Sequence, residues 1–499
     1  MKKKLLLYII LFLNLNLAFS QWNQVGQSLT GDRPLFGYSV SISGNGTRIA
    51  TVDKTNDGYI NVYELQGTTW QPVGNPIGPL VLSVSSPLDL DYDGDRLVVS
   101  NVVVNPNSLA TCFLVFSFNG TSWEQLGNDY TCETANPTAM VTYGSDAKIS
   151  DDGTRIMVAA IDIGNLGFVD PGFIEVLELI GNEWTLMGNS FSIGFNPPGS
   201  RTVSMTMSAD GSKIGYGEPA APTFYDGSYS VFGYEFGYAS VHEWQGDTWV
   251  SMSNNLNDNS GPANFGANRG SAVCFNGLGN RIAVGTVGDD TTMSDTGKVE
   301  VYEQNAADGS WSQLGNTLYG EAIDHAIGND IALNRTGNVL AIAAEGADAT
   351  GDYSIKVYRL VNDIWTLVDN PIIYGDSTLP WNTTLMEFSE TGRLALALPF
   401  GETMRKIEVF ENPSLSVKDR DVSEVKLYPN PFHNQFVLEF DKESKGTWAI
   451  LSIQGQQLLQ GDFNSKQQQI DTSFLKEKGV YILKLETSSG ILIKKIVKA

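Results

Sequence analysis

The chain is poor in the residues from which metal centres and disulfide scaffolds are made. It has three His and three Cys in 499 residues, too few for a metal-rich enzyme or a disulfide framework. Only 18% of residues are charged. No apolar run, the N-terminal one included, is long enough to span a bilayer. A disordered chain is excluded in turn, because 42% of residues are hydrophobic and 10% aromatic. The 51 Gly follow no strict period, which excludes a collagen-like rod.

What charge there is lies unevenly. The formal net charge is −24, yet residues 415–499 carry 12 Lys/Arg against 10 Asp/Glu. With Lys2, Lys3 and Lys4 set aside, residues 21–414 hold 17 basic and 46 acidic side chains. Such a body repels phosphate backbones, so nucleic acid is not an expected partner. Solubility outside the cell accounts for the acidity, and weak divalent-cation binding is the sharper alternative.

Lys2–Lys4 precede the short apolar run 5–13, and Ala18-Phe19-Ser20 places small residues before a cut between Ser20 and Gln21. This is the pattern of a secretory signal peptide over 1–20, leaving no transmembrane segment after its removal. Export permits disulfides. Cys112 and Cys132 flank one expected hairpin and are candidates for a bridge, while Cys274 reads as a buried free thiol.

Tryptophan reveals an internal repeat. Trp22-Asn-Gln-Val-Gly26 recurs at Trp70, Trp123, Trp184 and Trp311, with weaker copies at Trp249 and Trp365. After each Trp comes a hairpin such as Val40-Ser-Ile-Ser-Gly-Asn-Gly-Thr-Arg-Ile-Ala50, then an alternating strand such as Ile60-Asn-Val-Tyr-Glu64. One unit is thus four short antiparallel strands. A lone sheet of this size cannot bury both faces, and radial stacking solves that problem. The expected fold is all-β: a seven-bladed β-propeller over 21–412, a linker over 413–423 and a small C-terminal β-sandwich over 424–499. The last unit ends at Phe410 without a Trp strand, and the first Trp strand has no unit before it. The N-terminus is therefore expected to complete the last blade.

Phe36-Gly37-Tyr-Ser-Val40, the Ser-x-x-Gly-x-Arg turn and Gly58-Tyr-Ile-Asn-Val-Tyr63 resemble the FG-GAP-like propellers of secreted and surface proteins. That resemblance bears on fold, because propellers host adhesins, inhibitors and enzymes alike. Such repeats can carry calcium loops. Asp89-x-Asp91-x-Asp93-Gly94 has clustered hard oxygens at a tight turn, so it reads either as the start of a Ca²⁺ site or as the ordinary hairpin turn of the repeat. His242 and His325 have no partner at metal-ligand spacing, and no nucleophile elbow stands out. The repeat tryptophans read as packing between blades, and Trp381 is a better candidate for a surface contact.

After residue 412 the composition changes. Tyr428-Pro429-Asn430-Pro431 opens a new unit, with strands expected at 436–440, 448–453, 479–485 and 491–497 and turns at Gly455 and 488–490. The Tyr-Pro-Asn-Pro opening, the Gly479-Val-Tyr481-Ile-Leu-Lys strand and the terminal run with Lys494 and Lys495 resemble the type A sorting domain of type IX secretion in Bacteroidota. The resemblance implies handling by the translocon and sortase of that system, and a secreted or outer-surface destination. With no catalytic constellation visible, a binding or adhesion module for an extracellular glycan or protein is the leading expectation. A glycan hydrolase or lyase using carboxylates in the central funnel is the alternative.

Overall fold

The computed structural model describes residues 22–498 other than 32–35, 55–57, 81–86, 101–112, 129, 131–140, 164–168, 193–203, 220–236, 254–255, 257–267, 369, 377–384, 401–403, 413–425, 453–456, 476–477 and 488–489. Ser20 and Gln21, the Cys112 and Cys132 pair, Trp381 and the linker 413–423 lie outside the described residues. The chain divides into two compact units, 1–416 and 417–499. All regular structure among the described residues is β, and no helix is long and apolar enough to cross a membrane.

Among the described residues the body contains seven antiparallel sheets. Their first strands are Val40–Ile42, Leu88–Leu90, Val141–Ile149, Ser204–Met207, Arg269–Phe275, Ile327–Leu333 and Leu385–Phe388. Residues from all seven line one cavity, so these strands surround a common axis. Within each sheet the chain moves outward to the Trp strand, as in Val40–Ile42, Arg48–Lys54, Gly58–Gln66 and Thr69–Pro72. A short fifth strand also pairs with the third strand in five of the sheets. The seventh sheet takes its outermost strand from the other end of the chain: Asn23 lies opposite Glu411 and Gln24 opposite Phe410. Leu29–Thr30 then pairs with the same strand at Ile407 and Lys406.

The Trp repeat has one job, done six times. Trp70 Nε1 donates to the Val25 carbonyl at 2.9 Å, Trp123 to Val73 at 3.0 Å and Trp184 to Leu126 at 3.0 Å. Trp249, Trp311 and Trp365 likewise donate to Met187, Met252 and Leu314. Each acceptor lies three residues after the preceding repeat's Trp. The indole therefore buries its ring between sheets while its one donor caps the neighbour's outer strand. Glycine follows five of these six carbonyls, Ser253 being the exception, and at Gly26 and Gly127 the ring is the reason. A Cβ on Gly26 would lie 2.6 Å from Trp70, and one on Gly127 2.5 Å from Trp184.

The Ser-x-x-Gly-x-Arg turn is also explained. Its first side chain accepts the N–H that closes the hairpin: Ser43 from Arg48, Ser150 from Arg155, Ser208 from Lys213 and Ser389 from Arg393. The arginine then reaches the next sheet's turn, with Arg48 donating to the Gly94 carbonyl at 3.1 Å and Arg281 to Gly337 at 3.1 Å. Arg393 donates to Gly46 at 2.7 Å, linking the seventh sheet to the first.

The tail is a five-stranded sheet that folds over its own core. Its long strand Gln435–Leu451 shifts register between Glu439 and Ser444. Phe436 and Leu438 from one half then pack with Ile450, Leu483, Leu485 and Ile496 around the other. The two layers are halves of one continuous sheet. Gln457–Asp471 is an additional strand that the polar sequence does not announce. Asn430 Oδ1 accepts the Val497 N–H at 2.8 Å and Phe432 N donates to the Val497 carbonyl at 2.8 Å, so the opening motif fastens the last strand.

Candidate functional site

The cavity on the body axis has a volume of about 350 Å³. Its walls follow from strand alternation, which turns every second residue of an inner strand to one side. One tier, two residues before each turn, consists of Ser41, Asp89, Lys148, Thr206, Cys274, Ala332 and Glu387. A second tier, two residues earlier, consists of Ser39, Pro87, Asp146, Ser204, Ala272, Asp330 and Leu385.

These side chains sew the seven sheets together. Ser41 Oγ accepts the Leu90 N–H at 3.0 Å, and Asp89 accepts the Ile149 N–H at 2.9 Å. Asp146 accepts from Met205 at 3.0 Å, Thr206 from Phe275 at 2.8 Å and Cys274 Sγ from Leu333 at 3.3 Å. Asp330 accepts from Met386 at 2.8 Å, and Glu387 returns to the first sheet by accepting from Ile42 at 2.9 Å. Every seam between neighbouring sheets has its acceptor. Where the nearer tier offers none, at Lys148 and Ala332, the same strand supplies an aspartate from the other tier, Asp146 or Asp330. An inner strand has no partner strand on its axial side, so these bonds satisfy backbone N–H groups that would otherwise be buried unpaired.

The electrostatics follow from this packing. Burial raises the Asp89, Asp146 and Asp330 carboxyls above the ordinary range, Asp330 to about 7. Glu387 is raised by burial and by the Asp89 charge, and the two carboxyls are hydrogen-bonded, so the pair retains a proton. Burial works against the Lys148 ammonium, but Asp146, Asp89 and Glu387 together outweigh it and raise its pKa. Cys274 is pushed up to about 11 by burial, which leaves it a neutral thiol and a weak nucleophile.

At the turn end the cavity is capped. Backbone N–H groups pass from turn to turn: Tyr92 to the Asp151 carbonyl at 3.1 Å, Asp151 to Ala209 at 2.8 Å, Ala209 to Gly277 at 2.9 Å and Gly277 to Arg335 at 3.0 Å. Arg335 spans this mouth. Its guanidinium pairs with Asp151 at 2.9 Å and with Glu390, and lies over the Tyr92 ring at 5.9 Å.

The Asp89, Asp91 and Asp93 carboxylates are not brought together. Asp89 faces the axis and also accepts the Ser41 hydroxyl at 3.3 Å. Asp91 accepts the Arg96 N–H at 3.1 Å, the task Ser43 and Ser150 perform in their turns, and Asp93 is exposed. Among the described residues no group of three or more His, Cys, Asp or Glu is placed to hold a metal ion. Cys274 is a free, half-buried thiol facing the axis. His242 stacks on Tyr216 at 5.8 Å, with burial lowering it to about 4, and the buried His325 accepts the Glu321 N–H at 3.0 Å. Lys148, Asp146, Asp330 and Glu387 carry no motif, because no local spacing links them. Alignment of the seven hairpins on their turn residue brings them into register.

In the tail, Tyr428 Oη donates to Glu439 at 2.7 Å and accepts from Gln467 at 2.9 Å. Pro429 and Pro431 both follow cis peptide bonds. Gly479 and Tyr481 pair with Lys498 and Ile496, and Lys494 and Lys495 pair with Leu483 and Ile482.

No curated protein matches the chain. A proposed 6-phosphogluconolactonase from Bacteroides fragilis superimposes with a TM-score of 0.44 at 11% identity, over 68% of this chain and 84% of that one. A second, from Bacteroides uniformis, gives 0.43 at 12% identity over 68% and 85%. The periplasmic gluconolactonase of Pseudomonas aeruginosa gives 0.42 at 15% over 67% and 84%. Residues 426–499 match the profile of the Secretion system C-terminal sorting domain. The tail is thus a type IX sorting domain, which marks the chain for export to the cell surface or beyond it.

Proposed function

We propose that the chain is a seven-bladed, FG-GAP-like propeller that binds an extracellular glycan or protein, delivered to the outer surface or released by the type IX translocon and sortase acting on the tail. The observation that carries this reading is the use of the axial acids. Asp89, Asp146, Asp330 and Glu387 each accept a backbone N–H from the next sheet. Acids committed in this way are parts of the frame, and they do not form a free pair flanking a scissile bond. With Arg335 across the turn end, the connections at the other end of the ring are left to make contacts, as loops on a rigid scaffold commonly do.

A second reading rests on the Asp89–Glu387 pair, which shares a proton beside a cavity large enough for a small substrate. In it, the pair serves a hydrolase or lyase as acid and base. Screening the full chain against glycans and matrix proteins, with product analysis, separates the two. Saturable binding without turnover, retained when Asp89→Asn and Glu387→Gln are combined, supports the binding module. Turnover abolished by the same pair of changes supports the enzyme.

A further inference from the structure

The axial tiers contain one residue that sewing the ring does not explain. Ala332 merely lacks an acceptor, but Lys148 brings a charge to a position where a serine or threonine would have made the seam. Among the described residues it is the one cation on the two tiers. Its Nζ makes no hydrogen bond to a described residue, yet Lys148 lines one cavity together with Asp89, Asp146, Asp330 and Glu387, and their charges favour its ammonium form. These four acids come from four different sheets.

We propose that the axial cavity is an ammonium site filled by the chain's own side chain, with Lys148 as a tethered counter-cation for the carboxylates that the seams gather. The carboxylates cannot turn away from one another, because each is held by a backbone N–H of the next sheet. Their mutual repulsion must be met by protons or by a cation. A metal ion is poorly suited, since no three ligands converge on a point among the described residues and a hard cation needs such a shell. An ammonium on a flexible four-carbon stem acts as a point charge and needs none. The cavity of about 350 Å³ would accept a small alkylammonium if the stem were cut back. This inference stands apart from whatever the propeller binds outside the cell.

Thermal melting of the full chain tests it. Lys148→Met, which keeps the bulk and removes the charge, should lower Tm by roughly 5 °C at pH 8. Lys148→Ala should regain at least half of its own loss in methylammonium chloride relative to tetramethylammonium chloride at equal ionic strength, whereas the unaltered chain should melt alike in both. Should Lys148→Ala fail to fold, amine labelling of the intact protein decides the matter by a second route. Lys148 should resist reductive methylation in the unaltered chain and react when Asp146→Asn and Glu387→Gln are combined. Unchanged melting of Lys148→Met overturns the proposal. So does equal melting of Lys148→Ala in the two salts, or equal labelling with and without the acids.

Discussion

Asn23 stands directly opposite Glu411 across an antiparallel pair, so the first described strand of the chain is the outermost strand of the body's seventh sheet. The body is closed by main-chain hydrogen bonds between residues nearly 400 positions apart. Contacts of such separation form late, because chain entropy must be lost before they contribute.

Removal of residues 22–26 should therefore do more than shorten a terminus. It strips Glu411 and Phe410 of their outer partners, leaving them paired only to Arg393 and Leu394, and takes away the Val25 carbonyl that Trp70 caps. The expected result is a Tm lower by roughly 5 °C or more, together with concentration-dependent association through the exposed sheet edge. Differential scanning calorimetry and light scattering would register both.

Each Trp seam should weaken independently. Trp184→Phe keeps most of the ring but removes the donor to the Leu126 carbonyl, at a cost of about 1–3 kcal/mol in unfolding free energy. Trp184→Phe and Trp365→Phe lie in different seams, so their effects should add. Chemical denaturation of the two single variants and the double variant measures this.

The axial acids give stability a specific pH dependence. Asp330 is raised to about 7, and the Asp89–Glu387 pair holds a proton above the ordinary carboxylate range. Between about pH 4 and pH 7 the folded chain then binds more protons at these groups than the unfolded chain. Their contribution is fully present below about pH 4 and is lost as the pH rises through the folded values. Lys148, being raised, keeps its own contribution throughout that window. Asp146 adds to the trend in the same sense, and the Cys274 thiol stays neutral in it. Melting temperature should accordingly fall from pH 5 to pH 8. Asp330→Asn, which keeps an acceptor for Met386 N–H, should flatten the slope and stabilise at pH 8. Asp330→Leu, which removes the acceptor, should destabilise at both ends.

The tail offers a separate test. Asn430→Ala leaves the Val497 N–H without its side-chain partner and loosens the last strand at its join with the opening motif. Export should drop several-fold, with the variant retained inside the cell while the body remains folded, as followed by fractionation and blotting. Normal export of Asn430→Ala would show that the join does not matter for sorting.

Much of the fold is legible from residues alone, and the reason is periodicity. Trp22, Trp70 and their copies mark a seam that must recur because every pair of sheets meets in the same way. Gly26 and Gly127 follow because an indole occupies the space where a Cβ would be. The donation of Asn23–Gln24 to the body's seventh sheet follows from strand arithmetic. The axial acids are not legible in this way, because Asp89, Lys148 and Glu387 become neighbours only when the ring closes. Their sequence separations of 59 and 239 residues carry no local signal. Asp89-x-Asp91-x-Asp93 misleads for the converse reason. Residues close in sequence look like one ligand set, whereas alternation sends Asp89 to the axis and leaves Asp93 in solvent. Gln457–Asp471 is hidden because its polar composition masks the alternation that a half-buried strand needs.

The most direct test of a body that closes on itself is a cross-link at the closing pair. With Asn23→Cys and Glu411→Cys combined, mild oxidation followed by peptide mass spectrometry should find the two positions joined within one chain, in a monomer that melts higher than its reduced form. Failure to join, or joining only between two chains, would contradict closure by the chain's own N-terminal strand.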